Sequence, residues 1–273
     1  MVIDFHTHAF PDKIAERTIS ILEENTLRVS GEKSYAVRTG DVAGLQELMA
    51  RDGVDVSVVL PIATTVTQSG SINRFAAELN SMPGLVSFGS VHPMQEDWAE
   101  VLAQVKALGL AGIKLHPEYQ KVDIDAPESL RILKKCRDLD LIVVLHTGAD
   151  IGMPPPIHCA PRQLRTALEQ MPGTKVVAAH MGGWRMWDDV EKYLVGMPLY
   201  LDTSFSVTQM EPAQARRIVE NHGPDRILFG TDSPWEAPRD TIAALHRLGL
   251  AETDMTKILY KNAVKLLNLQ EMA

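Results

Sequence analysis

Leu141-Ile142-Val143-Val144-Leu145-His146-Thr147-Gly148 is an apolar run that stops abruptly at a histidine, a threonine and a glycine. A continuous apolar run this short suits a strand buried on both faces, the habit of a parallel sheet. The pattern repeats in both directions along the chain. Residues 2–5, 56–60, 85–91 and 111–115 precede it, and 175–179, 199–202 and 226–229 follow. Between the runs lie segments with helical period. Residues 96–108 put Trp98, Val101, Leu102, Val105 and Leu108 on one stripe, and 127–139 do the same with Leu130, Ile132, Leu133 and Cys136. Segments 161–171 and 212–221 open on prolines suited to a first helical turn, and 238–248 and 255–267 complete the series. Strand and helix thus alternate about eight times, which predicts an α/β fold of the (β/α)₈ TIM-barrel type. The rival is an open doubly wound sheet, but no G-x-G-x-x-G follows the first run to give its commonest nucleotide-binding form. Residues 26–40, polar and carrying Gly31 and Gly40, are expected to form a long loop within the first β/α connection. No linker, composition shift or repeat divides the chain, so one domain over 1–273 is expected.

Composition narrows the function. The chain has 273 residues, a length that α/β barrels reach as one domain. With 45% hydrophobic and 23% charged residues it is an ordinary globule and not a disordered chain. A net charge of −8 and a pI near 5.6 give no footprint for nucleic acid or an anionic membrane. Cys136 and Cys159 are too few for a disulfide scaffold or a thiolate zinc cluster, and read as free thiols. The start, Met1-Val2-Ile3-Asp4-Phe5-His6, has an acid and a histidine where a signal peptide needs an apolar core. A soluble, cytoplasmic protein acting on a small molecule is expected. Its oligomeric state stays open, a homo-oligomer included.

Polar residues gather at the predicted strand ends. These ends read His6-Thr7-His8, His92-Pro93, Lys114-Leu115-His116-Pro117, His146-Thr147-Gly148, His180-Met181-Gly182-Gly183 and Gly230-Thr231-Asp232-Ser233-Pro234. Residues i and i+2 of a strand point the same way, so His6 and His8 converge. In a barrel all these ends share one rim, where active sites are built. A lone histidine is more often a core or capping residue, but histidines at the ends of five separate runs are hard to ascribe to chance. Imidazoles with one carboxylate suit zinc or another divalent first-row ion.

In order and spacing these motifs resemble the amidohydrolase superfamily. The amidohydrolase-related branch, which includes aminocarboxymuconate-semialdehyde decarboxylase and related aromatic-acid decarboxylases, is the nearest in pattern. The similarity runs from Ile3-Asp4-Phe5-His6-Thr7-His8 through Gly53-Val54-Asp55, His146-Thr147-Gly148 and Ala179-His180-Met181-Gly182-Gly183 to Phe229-Gly230-Thr231-Asp232-Ser233-Pro234. The resemblance implies His6, His8, His146 and Asp232 as ligands of one divalent ion, zinc first, with Mn²⁺ or another first-row ion as alternatives. It implies His180 as a catalytic group facing the substrate, or else a ligand of a second ion. Lys114 is open between a carbamate bridging two ions, an ammonium that binds a substrate carboxylate, and a core residue. His116, more weakly His92, and Trp235 are expected to touch substrate, with Trp184, Arg185 and Trp187 as softer candidates for a pocket wall. Asp4 lies deeper and suits a structural hydrogen bond, and His158, beside Pro154-Pro155-Pro156, suits a solvent-facing rim loop.

The expected activity is metal-dependent hydrolysis of an amide, ester or lactone, with Asp232 moving the proton and His180 steadying the oxyanion. The alternative on the same scaffold is non-oxidative decarboxylation of an aromatic or muconate-type acid. A non-catalytic metal or small-molecule binder is the third reading.

Overall fold

The computed structural model describes residues 1–269. Among them the strands are β1 (Ile3–Thr7), β2 (Val56–Val59), β3 (Leu85–Ser87), β4 (Gly89–Ser90), β5 (Gly112–Leu115), β6 (Ile142–Leu145), β7 (Val176–Ala178), β8 (Tyr200–Asp202) and β9 (Ile227–Leu228). β3 and β4 are two halves of one stave interrupted at Phe88, so every expected run forms. All pairings are parallel, in the orders β1-β2-β3 and β4-β5-β6-β7-β8-β9. The two sets meet where the Phe88 N–H donates to the Val59 carbonyl at 3.0 Å. The far edges meet as well. The Asp232 N–H donates to the His6 carbonyl at 2.8 Å, and the His8 N–H to the Ser233 carbonyl at 2.7 Å. That return of the last strand to the first closes the TIM barrel.

Helices fill the connections: α1 (Asp12–Ser30), α2 (Val42–Asp52), α3 (Ser69–Leu79), α4 (Trp98–Ala107), α5 (Pro117–Gln120), α6 (Pro127–Asp138), α7 (Pro161–Gln170), α8 (Trp187–Tyr193), α9 (Pro212–His222), α10 (Pro238–Arg247), α11 (Glu252–Thr256) and α12 (Asn262–Leu267). Proline opens α6, α7, α9 and α10, where its missing N–H costs nothing. The expected loop over 26–40 is shorter than predicted, because α1 continues to Ser30. Gly31 ends it in the left-handed conformation, φ 80°, with its N–H returned to the Leu27 carbonyl. The polar remainder carries Arg38, which is more than a loop residue. Its guanidinium donates to the His8 carbonyl, and to Ser233 Oγ at 2.8 Å, tying together the two strand ends that close the barrel.

Alternation along β6 shows how the strands are shared. Val143 and Leu145 pack outward with the helices, in one cluster with Leu133, Cys136 and Leu164. Ile142 and Val144 join Ile3, Phe5, Val58, Leu60, Phe88, Val177 and Leu228. These side chains come from strands around the ring, so they plug the barrel's interior. Above the plug the inward positions turn polar. The register of β1 on β2 shifts between Asp4 and Thr7, and that extra residue lets Phe5 face the plug while the adjacent His6 heads the polar layer. Gly112 is required beneath it, since a Cβ there would lie 2.1 Å from the Ile142 carbonyl oxygen.

Beyond β9 the rim turns inward at Glu236, a buried carboxyl that accepts from Thr208 Oγ1 and, at 3.1 Å, from Thr241 Oγ1. Burial pushes its pKa from 4.5 up to about 7, against those hydrogen bonds. The native state therefore holds this proton more tightly than the unfolded chain, and stability is lost as pH rises from about 4.5 to about 7. Glu236→Gln removes that loss. In urea denaturation the variant should gain on the parent by about 1–3 kcal/mol near neutral-to-alkaline pH relative to acid pH. An equal difference at both ends of the range would show that Glu236 does not titrate this way.

Candidate metal centre

The polar layer is built on hydrogen bonds that fix which nitrogen of each ring is free. His6 is fully buried at the end of β1. Its Nδ1 lies 2.8 Å from Asp202 Oδ2 and 3.0 Å from Ser204 Oγ. A carboxylate can only accept, so Nδ1 carries the hydrogen and Nε2 keeps its lone pair. Burial, and then the Lys114 charge, push His6 down to about 4, so the ring is neutral. His8 is set the same way by the Leu60 carbonyl, 2.9 Å from its Nδ1. Its Nε2 then faces Asp232 Oδ1 at 3.0 Å, and His6 Nε2 faces the same oxygen at 3.4 Å. Burial works against ionisation of Asp232, but its contact with His8 Nε2 outweighs burial and holds the carboxyl below the usual range; without an ion that nitrogen lends a proton to the contact, and a bound ion takes the proton's place. Two imidazole lone pairs and an ionised carboxylate thus converge on one point. Such a convergence calls for a cation. The three donor atoms lie within 4.8 Å of one another, a spacing that suits bonds of about 2.0–2.2 Å to a shared first-row ion.

The ammonium of Lys114 already borders this nest. It is almost fully buried and its Nζ donates to His6 Nε2 at 3.1 Å. Burial lowers its pKa to about 8, although Asp202 and Asp232 pull the other way. Its stem is buried and its ammonium sits in the polar layer.

His146 stands across the layer with His180. The His180 Nδ1 hydrogen goes to the Ser204 carbonyl at 3.0 Å. His146 Nε2 meets acceptors: the Ala149 carbonyl at 3.2 Å, Asp150 Oδ2 at 3.8 Å and Glu118 Oε2 at 3.9 Å. The nitrogens left over, His146 Nδ1 and His180 Nε2, face each other at 3.0 Å. Here too a proton or a metal ion must lie between two lone pairs. Among the described residues His146 falls in a donor group with His116 and Asp150, and not in the His6, His8 and Asp232 group.

The remaining sequence-expected residues divide cleanly. His116 and Trp235 line the cavity in front of the histidines, with Lys114. His116 is stacked between Tyr119, at 3.8 Å, and His146, at 4.1 Å. Its Nδ1 accepts from the Tyr119 N–H and its Nε2 faces Asp150 Oδ2 at 3.3 Å, so both nitrogens are engaged. His92 is not among the cavity residues; its Nδ1 accepts the Met94 N–H and holds a turn. Trp187 Nε1 donates to the His180 carbonyl, Arg185 stacks on Trp184, and none of the three joins the wall. Asp4 accepts from Thr231 Oγ1 at 2.6 Å and from the Thr231 and His6 N–H groups, a structural role. His158 pairs with Asp123 at 2.7 Å.

The sequence reading missed Asp202, Ser204, Glu118 and Asp150. Asp202 carries the most weight, since one carboxylate orients His6 through Oδ2 and accepts the His180 and Ser204 N–H groups through Oδ1. Its signal was present: it ends the run 199–202 as His146 ends 141–145, a polar residue at the carboxyl end of a barrel strand.

A family model described as Amidohydrolase matches residues 3–269. No curated protein matches the chain. Among solved structures, an uncharacterized TIM-barrel protein of Bordetella bronchiseptica superposes with a TM-score of 0.77 at 20% identity, covering 98% of both chains. The 5-carboxyvanillate decarboxylase of Sphingomonas paucimobilis gives 0.72 at 17%, covering 98% of this chain and 99% of its own. A dihydroxybenzoic acid decarboxylase of a Polaromonas species, solved with manganese and 2-nitroresorcinol, gives 0.69 at 17%, covering 99% and 98%. Among the described residues no helix is long and apolar enough to cross a membrane.

If Asp202 fixes the His6 lone pair, Asp202→Asn should weaken divalent-metal affinity about 10–100-fold while the fold persists. Competition with a fluorescent chelator beside circular dichroism measures both, and unaltered affinity would remove Asp202 from this role.

Proposed function

We infer that this chain, which belongs to the amidohydrolase family, is a single-domain, metal-dependent hydrolase that cleaves an amide, ester or lactone. The observation that carries the reading is the convergence of His6 Nε2 and His8 Nε2 on Asp232 Oδ1. His6, His8 and Asp232 would hold one divalent ion, zinc first among the first-row candidates, and His146 Nδ1, which faces His180 Nε2, is kept for the proton that the two rings share. In that nest the ion supplies Lewis acidity at a carbonyl oxygen and makes water a better acid.

The protein's own groups do the rest. Asp232, kept ionised, accepts a proton from the attacking water at its second oxygen. The water oxygen bonds to the carbonyl carbon, the carbon–nitrogen or carbon–oxygen bond breaks, and Asp232 returns the proton to the leaving group. A proton shared between His146 Nδ1 and His180 Nε2 is the donor available to the developing oxyanion. The Asp202 and Ser204 contacts keep His6 and His180 in place through these steps.

Charge supports hydrolysis over decarboxylation. Among the described residues no arginine lines the cavity, and its buried cation is Lys114. An uncharged acyl compound needs no more. One observation favours the second reading, decarboxylation of an aromatic acid: that same ammonium could pair with a substrate carboxylate.

Two measurements decide. With metal-loaded protein, esters, lactones and aromatic acids should be followed for both acid and carbon dioxide; acid without carbon dioxide is expected, and carbon dioxide would establish the alternative. Asp232→Asn, compared at matched metal loading, should lose about 10²–10⁴-fold in turnover, the usual scale of acid–base catalysis. Full turnover in the variant would exclude Asp232 as the proton carrier.

A further inference from the structure

The cavity in front of the histidines, about 630 Å³, runs well past them. One long wall is α1, which contributes Ile14, Thr18, Leu22 and Thr26 at intervals of four residues, a single stripe. At 1.5 Å per residue that stripe is about 18 Å long. Facing it, α3 contributes Ile72 and Phe75. The loop after β6 reaches across to α1: a Cβ on Gly152 would lie 3.6 Å from the Asn25 Cβ. The cavity therefore has a catalytic end at the barrel rim and a roofed arm between the first two β/α connections.

Most of the arm's hydroxyl hydrogens are already spent within the protein; the Gln68 side-chain N–H groups and the Ser34 hydroxyl are the exceptions. Thr18 Oγ1 donates to the Ile14 carbonyl and Thr26 Oγ1 to the Glu23 carbonyl, each at 2.8 Å. Ser71 Oγ donates to the Gln68 carbonyl at 2.9 Å, and Gln68 Oε1 accepts from the Thr64 N–H and hydroxyl. What these side chains can offer a ligand is chiefly carbon. Leu22, Ile72 and Phe75 are only half-buried, so each leaves apolar surface for a guest to cover. Among the described residues the charged group of this arm is Lys13, which is exposed.

We propose that this arm is a binding site for an extended apolar chain, so that the substrate is a neutral ester, lactone or amide carrying an alkyl tail. The tail lies along the Ile14–Thr26 stripe while the carbonyl rests at the histidines. A guest with a carboxylate on its tail would meet no buried cation along the stripe, since Lys13 is exposed. The chemistry at the carbonyl rests on the hydrolase reading; the affinity for the tail does not.

The test separates the two. Calorimetric titration of the protein with straight-chain 1-alkanols, from butanol to decanol, should show affinity rising about fourfold per methylene until the arm is full. Leu22→Trp, which fills the arm midway, and Ile72→Asp, which charges it, should each abolish the gain for the longer alcohols. Arg17→Ala, exposed on the outer face of α1, should leave it intact. Affinity independent of chain length, or a gain that survives in both arm variants, overturns the proposal. 4-Nitrophenyl esters of the matching acids complete it. Turnover that grows with chain length and loses that growth in Leu22→Trp is expected. Alkanol binding without turnover of any ester would sink the hydrolase reading and leave the arm standing, whereas turnover indifferent to length would do the reverse.

Discussion

Everything at the rim depends on two imidazoles being unable to turn. The Nδ1 hydrogen of His6 is committed to Asp202 and that of His8 to the Leu60 carbonyl, so both Nε2 lone pairs point at Asp232. Left without a metal ion, this is a set of partly buried acceptors of which only His6 is met by the Lys114 ammonium, an arrangement that low-dielectric surroundings penalise. The fold accepts that penalty and holds it in place from several directions. The β1 register shift aims His6, Arg38 ties the His8 carbonyl to Ser233, and Asp4 pins Thr231 beside Asp232. The seam that closes the barrel and the seam that builds the site are the same hydrogen bonds, His6 carbonyl to Asp232 N–H and His8 N–H to Ser233 carbonyl. Stability and function are therefore hard to separate here: loosening the closure would misdirect the ligands.

The layering beneath follows from the same geometry. A barrel interior must be filled, and alternate residues of β6 do so: Ile142 and Val144 enter the plug while Val143 and Leu145 meet the helices. One residue further, the inward position is His146. The switch from apolar to polar above the plug, at His6, Lys114, His146, Asp202 and Asp232, gives the site a dry floor, and the long β1 and β2 connections give it walls. Among the described residues α1 is the longest helix, and it borders the cavity along its length.

Much of this was legible in the sequence, because short apolar runs with polar ends have few physical readings. The strands and the gathering of His6, His8, Lys114, His116, His146, His180 and Asp232 on one rim follow from strand position alone, and the starts of α6, α7, α9 and α10 from their prolines. What resisted reading was set by tertiary contact. Asp202 looked like the tail of a strand until His6, 196 residues away, was seen to rest on it. Residues 26–40 looked like loop because polar composition does not reveal where a helix packed on one face will end; Gly31 does that. His92 has the strand-end position of the others, but its ring turns into its own backbone at Met94. Parity tells which way a side chain leaves the strand, not which partner claims it.

The central claim is that the His6, His8 and Asp232 nest is built around a cation. Anomalous scattering from a crystal of the protein grown with zinc or manganese, collected on both sides of the metal's absorption edge, tests it most directly. The account predicts a strong peak within bonding distance of His6 Nε2, His8 Nε2 and an Asp232 oxygen. A difference map with no peak there, or with its peak confined to the His116, His146 and Asp150 group, would contradict it.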